Sequence, residues 1–261
     1  MGRSFAGVSI PMQFRDGMIW LKVSVAGRSE PLHFLLDSGA GASVIDLAAA
    51  RRLGLKLGTR QIVQGVHCRG SAYQVNGFTA QSAGIPIPSS LLAMDLSAPS
   101  AGLHQRIDGL VGVDFFRDRI VRIDFAAQTV RLLERREVNS AGGVFLPLAK
   151  RNDALCMHIS VDANAAEWLR LDTGCNTALE WVVDGDRAKK LGITTIGLNS
   201  GSIREVHTTV NLGTTQIAAV KTGIHTEQMF AGESGLIGNG LLSRFTMTLD
   251  VSERWCLLAN R

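Results

Sequence analysis

Apolar and polar residues alternate along much of this chain with a period of two. That spacing puts one face of a β-strand on a core and the other towards solvent. Met18–Val25 and Leu155–Val161 are the clearest such runs. Two shorter apolar runs, ending at Leu36 and Leu171, each deliver an Asp, then a Ser or Thr, then a Gly that breaks the strand. Helix-like stretches follow at Ser43–Leu53 and Ala178–Leu191, each closed by a glycine (Gly54, Gly192) suited to a helix C-terminus. β-Rich turn segments come next, around Gly65–Gly70 and Gly197–Gly201. The stretch Glu134–Gly143, charged and then rich in Gly, Asn and Ser, reads as a linker.

The order of these features repeats. Phe34-Leu35-Leu36-Asp37-Ser38-Gly39-Ala40 corresponds to Leu169-Arg170-Leu171-Asp172-Thr173-Gly174-Cys175 at an offset of 172 − 37 = 135. Gly109-Leu110-Val111-Gly112 corresponds to Gly235-Leu236-Ile237-Gly238, and Ile123-Asp124 to Leu249-Asp250, both at an offset of 238 − 112 = 126. Three matches in one order, two of them sharing an offset, identify a tandem duplication. The expected organisation is an all-β chain with short helices, in two units, 1–138 and 139–261, each carrying one Asp-Ser/Thr-Gly.

Composition narrows the class. Of 261 residues, 46% are hydrophobic and 19% charged, which excludes disordered, collagen-like and coiled-coil chains. No stretch reaches the roughly 18 apolar residues of a membrane span, and the first residues lack the apolar core of a signal peptide. Compartment stays open, with a periplasmic or secreted site expected if a leader is removed. The net charge of +4 comes from scattered basic residues with no aromatic-interleaved stripe, so no nucleic-acid partner is expected. Four cysteines at 68, 156, 175 and 256 form no CxxC and fit no zinc module; two disulfides or four thiols are both open. The six histidines form no HxH or HExxH, so neither metal nor cofactor is expected.

An apolar run that delivers a carboxylate into a tight turn is a costly use of charge. It makes chemical sense when two such residues meet across a pseudo-twofold axis. Like charges then prevent both from ionising, and the pair shares one proton, as in the dyads of aspartic proteases that illustrate this effect. The ionised member can take a proton from a water while the neutral member donates to a carbonyl oxygen. The alternative for Asp37 and Asp172 is a pair of turn-forming residues accepting backbone hydrogen bonds. That turn role is expected for Asp124 and Asp250, each at the end of a strand. Asp114 faces Gly240 in the repeat and has no acidic counterpart. Gly39-Ala40-Gly41-Ala42 lacks the residues of a phosphate loop, and Gly232-Glu233-Ser234-Gly235-Leu236 breaks the serine-nucleophile pattern.

On Asp37-Ser38-Gly39-Ala40, Asp172-Thr173-Gly174 and the two later glycine motifs, the chain resembles the aspartic proteases. It is most similar to bacterial single-chain enzymes with two fused retropepsin-like lobes, intermediate between retroviral and pepsin-like proteases. The resemblance implies a bilobal fold and an aspartic endopeptidase that needs no cofactor and acts as a monomer on an extended peptide or protein substrate. It implies catalytic roles for Asp37 and Asp172 and hydroxyl cross-links between the loops from Ser38 and Thr173. Gly39 and Gly174 would allow the tight turns, with Ala40 and Cys175 packed beside them. Leu110-Val111-Gly112 and Leu236-Ile237-Gly238 would thread beside the loops. Gly65, Val66, His67 and Tyr73 in the first unit, and Asn199 and Ser200 in the second, would belong to flaps that bind substrate. Many pepsin-like enzymes carry a hydroxyl where Ala40 and Cys175 stand; its loss here implies a mildly acidic optimum, about pH 5–6. The alternative is a peptide-binding module that keeps the fold without catalysis.

Overall fold

The computed structural model describes residues 7–65, 68–184 and 204–260. The chain is all-β with short helices. In its first half run β1 (Ser9–Arg15), β2 (Met18–Val25), β3 (Leu32–Leu36) and β4 (Val44–Asp46), followed by helix α1 (Leu47–Arg52). β5 (Arg60–Gly65) and β6 (Cys68–Val75) form a hairpin, and β7 (Ala80–Ser82), β8 (Ile85–Pro86) and β9 (Leu91–Met94) come next. Helix α2 (Ser97–Gly102), β10 (Gly109–Val111), β11 (Ile120–Asp124) and β12 (Thr129–Leu133) complete this half. The second half contains β13 (Gly143–Arg151), β14 (Ala154–Val161), β15 (Glu167–Leu171), β16 (Leu179–Val182), β17 (Arg204–Leu212) and β18 (Thr215–His225). It ends with β19 (Gly235–Ile237), helix α3 (Asn239–Leu242), β20 (Phe245–Asp250) and β21 (Trp255–Asn260).

The same local pairing occurs in both halves. β3 runs parallel to β10, which is antiparallel to β4. β15 runs parallel to β19, which is antiparallel to β16. A strand leading directly into an Asp is therefore held against the strand of the later glycine motif in each case. A six-stranded antiparallel sheet, ordered β1-β12-β11-β20-β21-β13, joins the halves. At its centre Arg122 lies opposite Thr248, and the pairing extends symmetrically from Ile120↔Asp250 to Asp124↔Thr246. Residues 122 and 248 differ by the repeat offset, 248 − 122 = 126, so this register is self-symmetric about their midpoint.

The alternation along β2 and β3 divides their side chains between two apolar layers. Ile19, Leu21, Val23, Phe34 and Leu36 enter the main core, which continues into the second half through Leu169, Leu171 and Ile237. Met18, Trp20 and Leu35 point the other way and pack with Val44, Leu96 and Ile107. Being covered on both faces, these strands fix the loop that follows them.

Both helix-like expectations need correction. Val44–Asp46 is a strand, and the helix begins only at Leu47. Asp46 caps it through Oδ2, which accepts from Ala49 N at 3.0 Å, and Gly54 follows it at φ +70°. Leu179–Val182 is also a strand, because it pairs with β18 on one side and β19 on the other; tertiary pairing overrides its local helical pattern. The rest of that stretch, from 185, lies outside the described residues, as does Gly197–Gly201. The linker expectation meets a 3-10 turn at Arg135–Glu137, capped by reciprocal Glu134 and Glu137 contacts, before β13 begins at Gly143.

Candidate active site

Asp37 and Asp172 each follow directly on the last residue of a central strand. The Asp37 amide donates to Val111 O and the Asp172 amide to Ile237 O, each at 2.9 Å, so the later glycine motif pins each turn where it starts. The turns meet face to face. Ser38 Oγ donates to Leu171 O at 2.7 Å and accepts from Thr173 N at 3.1 Å. Thr173 Oγ1 donates to Leu36 O at 2.7 Å and accepts from Ser38 N at 2.9 Å. Both residues are fully buried, so four hydrogen bonds out of water lock one loop to the other.

This lock sets the two carboxyl groups side by side, close enough for each to influence the other's proton. A β-carbon on Gly39 would stand 2.7 Å from both carboxyl oxygens of Asp172, and one on Gly174 would stand 2.6 Å from those of Asp37. Only glycine allows so close an approach. Asp37 Oδ1 accepts from the amides of Gly39 and Ala40, both at 3.0 Å, whereas among the described residues Asp172 Oδ1 accepts from Gly174 N alone, at 2.9 Å. Burial is the largest influence on both acids and holds each above the usual carboxylate range. For Asp37 the Ala40 and Gly39 amides and the Arg170 cation pull the other way; for Asp172 the charge of Asp37 adds to the rise.

The structure also gathers residues that the sequence pattern did not single out. Arg170, two positions before Asp172, is buried and forms a fork on Glu233 through Nε–Oε2 at 2.7 Å and Nη2–Oε1 at 2.6 Å. Its third nitrogen, Nη1, donates to Gly39 O at 2.8 Å, and the guanidinium lies over the Phe230 ring. Asn239 Nδ2 donates to Thr173 O and to Gly17 O, both at 2.7 Å, tying the β1–β2 turn to the second loop. Behind the first loop, Ser43 Oγ donates to Asp114 Oδ1 at 2.6 Å and accepts from Gly112 N at 2.9 Å. A polar residue inside an apolar run was the available signal for Arg170. Its repeat counterpart is Leu35, and a charge there needs a buried partner.

The remaining expected residues fall as follows. Ala40 supplies its amide to Asp37. Cys175 is half-buried with Sγ 3.1 Å from Thr177 Oγ1; burial and the nearby Asp172 push its thiol up to about 11, which leaves it protonated at neutral pH. Gly65 ends β5 at the tip of the β5–β6 hairpin, while Val66, His67, Asn199 and Ser200 lie outside the described residues. Tyr73 pairs with Arg60 at the base of that hairpin and packs against the main core. Asp124 Oδ1 accepts from Ala126 N and Ala127 N, and Asp250 Oδ1 from Glu253 N, so both form turns as expected. Among the described residues no group of three or more His, Cys, Asp or Glu is placed to hold a metal ion. Cys156, Cys175 and Cys256 are free thiols. A pocket of about 450 Å³ opens beside the second loop, lined by Arg15, Leu103, His104, Gln105 and Asn176 among others. No helix among the described residues is long and apolar enough to cross a membrane.

Residues 21–115 match the family model for aspartyl proteases, a span that includes Asp37, its loop and the Leu110-Val111-Gly112 strand. Among curated proteins no match is found. With this match the fold is all-β and aspartic protease-like, and aspartic protease function in general is supported.

Proposed function

We propose that the chain is a single-chain aspartic endopeptidase in which units 1–138 and 139–261 are two lobes, each supplying one catalytic carboxylate. The reading rests chiefly on the reciprocal Ser38–Thr173 lock, which holds Asp37 and Asp172 in contact. Two buried acids this close cannot both ionise, so the pair carries one proton over a wide pH range. The ionised carboxylate takes a proton from a water whose oxygen attacks the scissile carbonyl carbon. The protonated carboxyl donates to the carbonyl oxygen as the tetrahedral centre forms. Collapse of that centre breaks the C–N bond, with a proton passing to the departing amine.

The substrate is an extended peptide lying between the lobes. The β5–β6 hairpin offers backbone groups for strand-like pairing, and the pocket beside Asn176 receives a side chain at one end of the path. Since one chain carries both acids, the monomer is sufficient for activity. Burial holds the shared proton to higher pH than free carboxyls would, which favours a mildly acidic optimum.

The test is incubation of the protein with a diverse peptide mixture across pH 3–8, with the products read by mass spectrometry. Internal cleavage is expected, strongest in mildly acidic buffer, with the rate per molecule unchanged on dilution. Stable peptide binding with no new termini at any pH would instead establish a binding module.

A further inference from the structure

Arg170 occupies a position that holds the uncharged Leu35 in the first copy of the repeat. Three of its nitrogens are engaged, two by Glu233 and one by the carbonyl of Gly39 on the opposite loop. That carbonyl belongs to the same peptide unit as the Ala40 amide, which donates to Asp37 Oδ1 at 3.0 Å. A cation bound to a peptide oxygen draws electron density from the nitrogen and makes the N–H a stronger donor; hydrogen bonds in series reinforce one another. The path runs Arg170 Nη1–H to Gly39 O, through the Gly39–Ala40 peptide, to Ala40 N–H and Asp37 Oδ1. On the other side Leu35 stands at the matching position, and among the described residues Asp172 Oδ1 accepts only from the Gly174 amide.

We propose that Arg170 is a positioning residue that acts through the Gly39–Ala40 peptide to place the negative charge of the pair on Asp37 and leave the proton on Asp172. The two loops are nearly alike where they touch, and Arg170 makes them unequal from behind. Asp37 is then the carboxylate that takes the proton from water, and Asp172 the one that donates to the substrate carbonyl. This deepens the proposed function and rests on it for those two roles, but the placement of charge is measurable without turnover.

The other groups near the pair fit this assignment. Glu233 is matched by Arg170 itself, and Glu180 on β16 pairs with His225 at 2.6 Å. Cys156 on β14, opposite Arg170 in the sheet, is pushed up to about 12 by burial, and Cys175 to about 11, so neither contributes a charge at working pH. Both acids feel the Arg170 cation directly, yet the hydrogen-bonded route reaches only Asp37.

The test labels aspartate side chains with carbon-13 and follows the Asp37 and Asp172 carboxyl signals through a pH titration. In the wild-type protein the lower-pH step is expected at Asp37 and the higher at Asp172; the lower step at Asp172 would overturn the proposal. The comparison protein is Arg170→Met with Glu233→Leu, since replacing both members of a buried ion pair by apolar residues is generally tolerated. There the lower step, and the acid limb of any pH–rate profile, should move up by about half to one pH unit and be shared more evenly between the two carboxyls. An Arg170→Lys variant, which keeps the charge and shortens the reach to Gly39 O, should shift it in the same direction by less. Unmoved steps in whichever of these proteins folds, shown by its melting transition, would overturn the proposal. If the wild-type protein cleaves no peptide while Asp37 still titrates first, the proposed activity fails and the placement of charge stands.

Discussion

The two Asp loops are alike where they touch and different where they are held. At the contact, Ser38 and Thr173 exchange equivalent hydrogen bonds, and Gly39 and Gly174 each lie against the other loop's carboxylate. Behind the contact, the first loop rests on Ser43 and Asp114, whose counterparts in the repeat are Ala178 and Gly240. The second loop rests on Asn239 and lies beside the Arg170–Glu233 pair, where the first has Val113 and Leu35. The difference separates two requirements. Symmetry is needed only to bring two acids together, whereas unequal acid and base roles need unequal surroundings.

Removing a hydroxyl from the contact should have the largest effect on stability. Thr173→Val strips the donor from Leu36 O and the acceptor from Ser38 N, both buried, and Ser38→Ala does the same to Leu171 O and Thr173 N. Each is expected to cost about 2–4 kcal/mol in denaturant unfolding. Nearly equal losses support an even lock; a loss confined to one variant would show that one loop carries the other.

A smaller effect is expected from Asp172→Asn, and its sign depends on pH. The folded pair binds its shared proton more tightly than free aspartates do, since burial raises both acids. Between the unfolded value near 4 and the raised folded value, the native state therefore holds more protons than the unfolded state, and stability falls as pH rises. The amide supplies permanently the donor that a protonated Asp172 supplies only below the folded value. Thermal unfolding should show the variant more stable than wild type at pH 8 by about 1 kcal/mol, roughly 2–4 °C in Tm for a chain of this size, with the gain shrinking towards pH 4. A gain that grows on acidification would mean that burial does not raise the pair.

Much of this site was legible in the sequence because the repeat writes it twice. Asp37 and Asp172 stand out as residues matched between the copies, while the cross-linking hydroxyls and the strands that pin the loops are what the resemblance carried by those motifs implies. The parts that escaped are those the repeat does not share. Glu233 is 63 positions from Arg170, and Gly17 is 222 from Asn239, distances over which no local pattern specifies a partner. Glu233 lay within a broken serine-nucleophile motif, and its function as the partner of a buried arginine depends on folding alone. The error at Leu179–Val182 has a similar source: its helical look is local, and the two strands that flank it are supplied by residues 215–225 and 235–237.

The central claim is that Asp37 and Asp172 act as one catalytic unit. Its most direct measurement is the rate of cleavage of a single identified peptide by wild type, Asp37→Asn, Asp172→Asn and the double variant, each purified free of host proteases. Each single substitution should lower kcat by at least about a thousandfold, with the double variant no more than a few-fold below either, because groups that work as a unit are lost together. A single variant that keeps a tenth or more of wild-type activity, or losses that multiply in the double variant, would contradict the account.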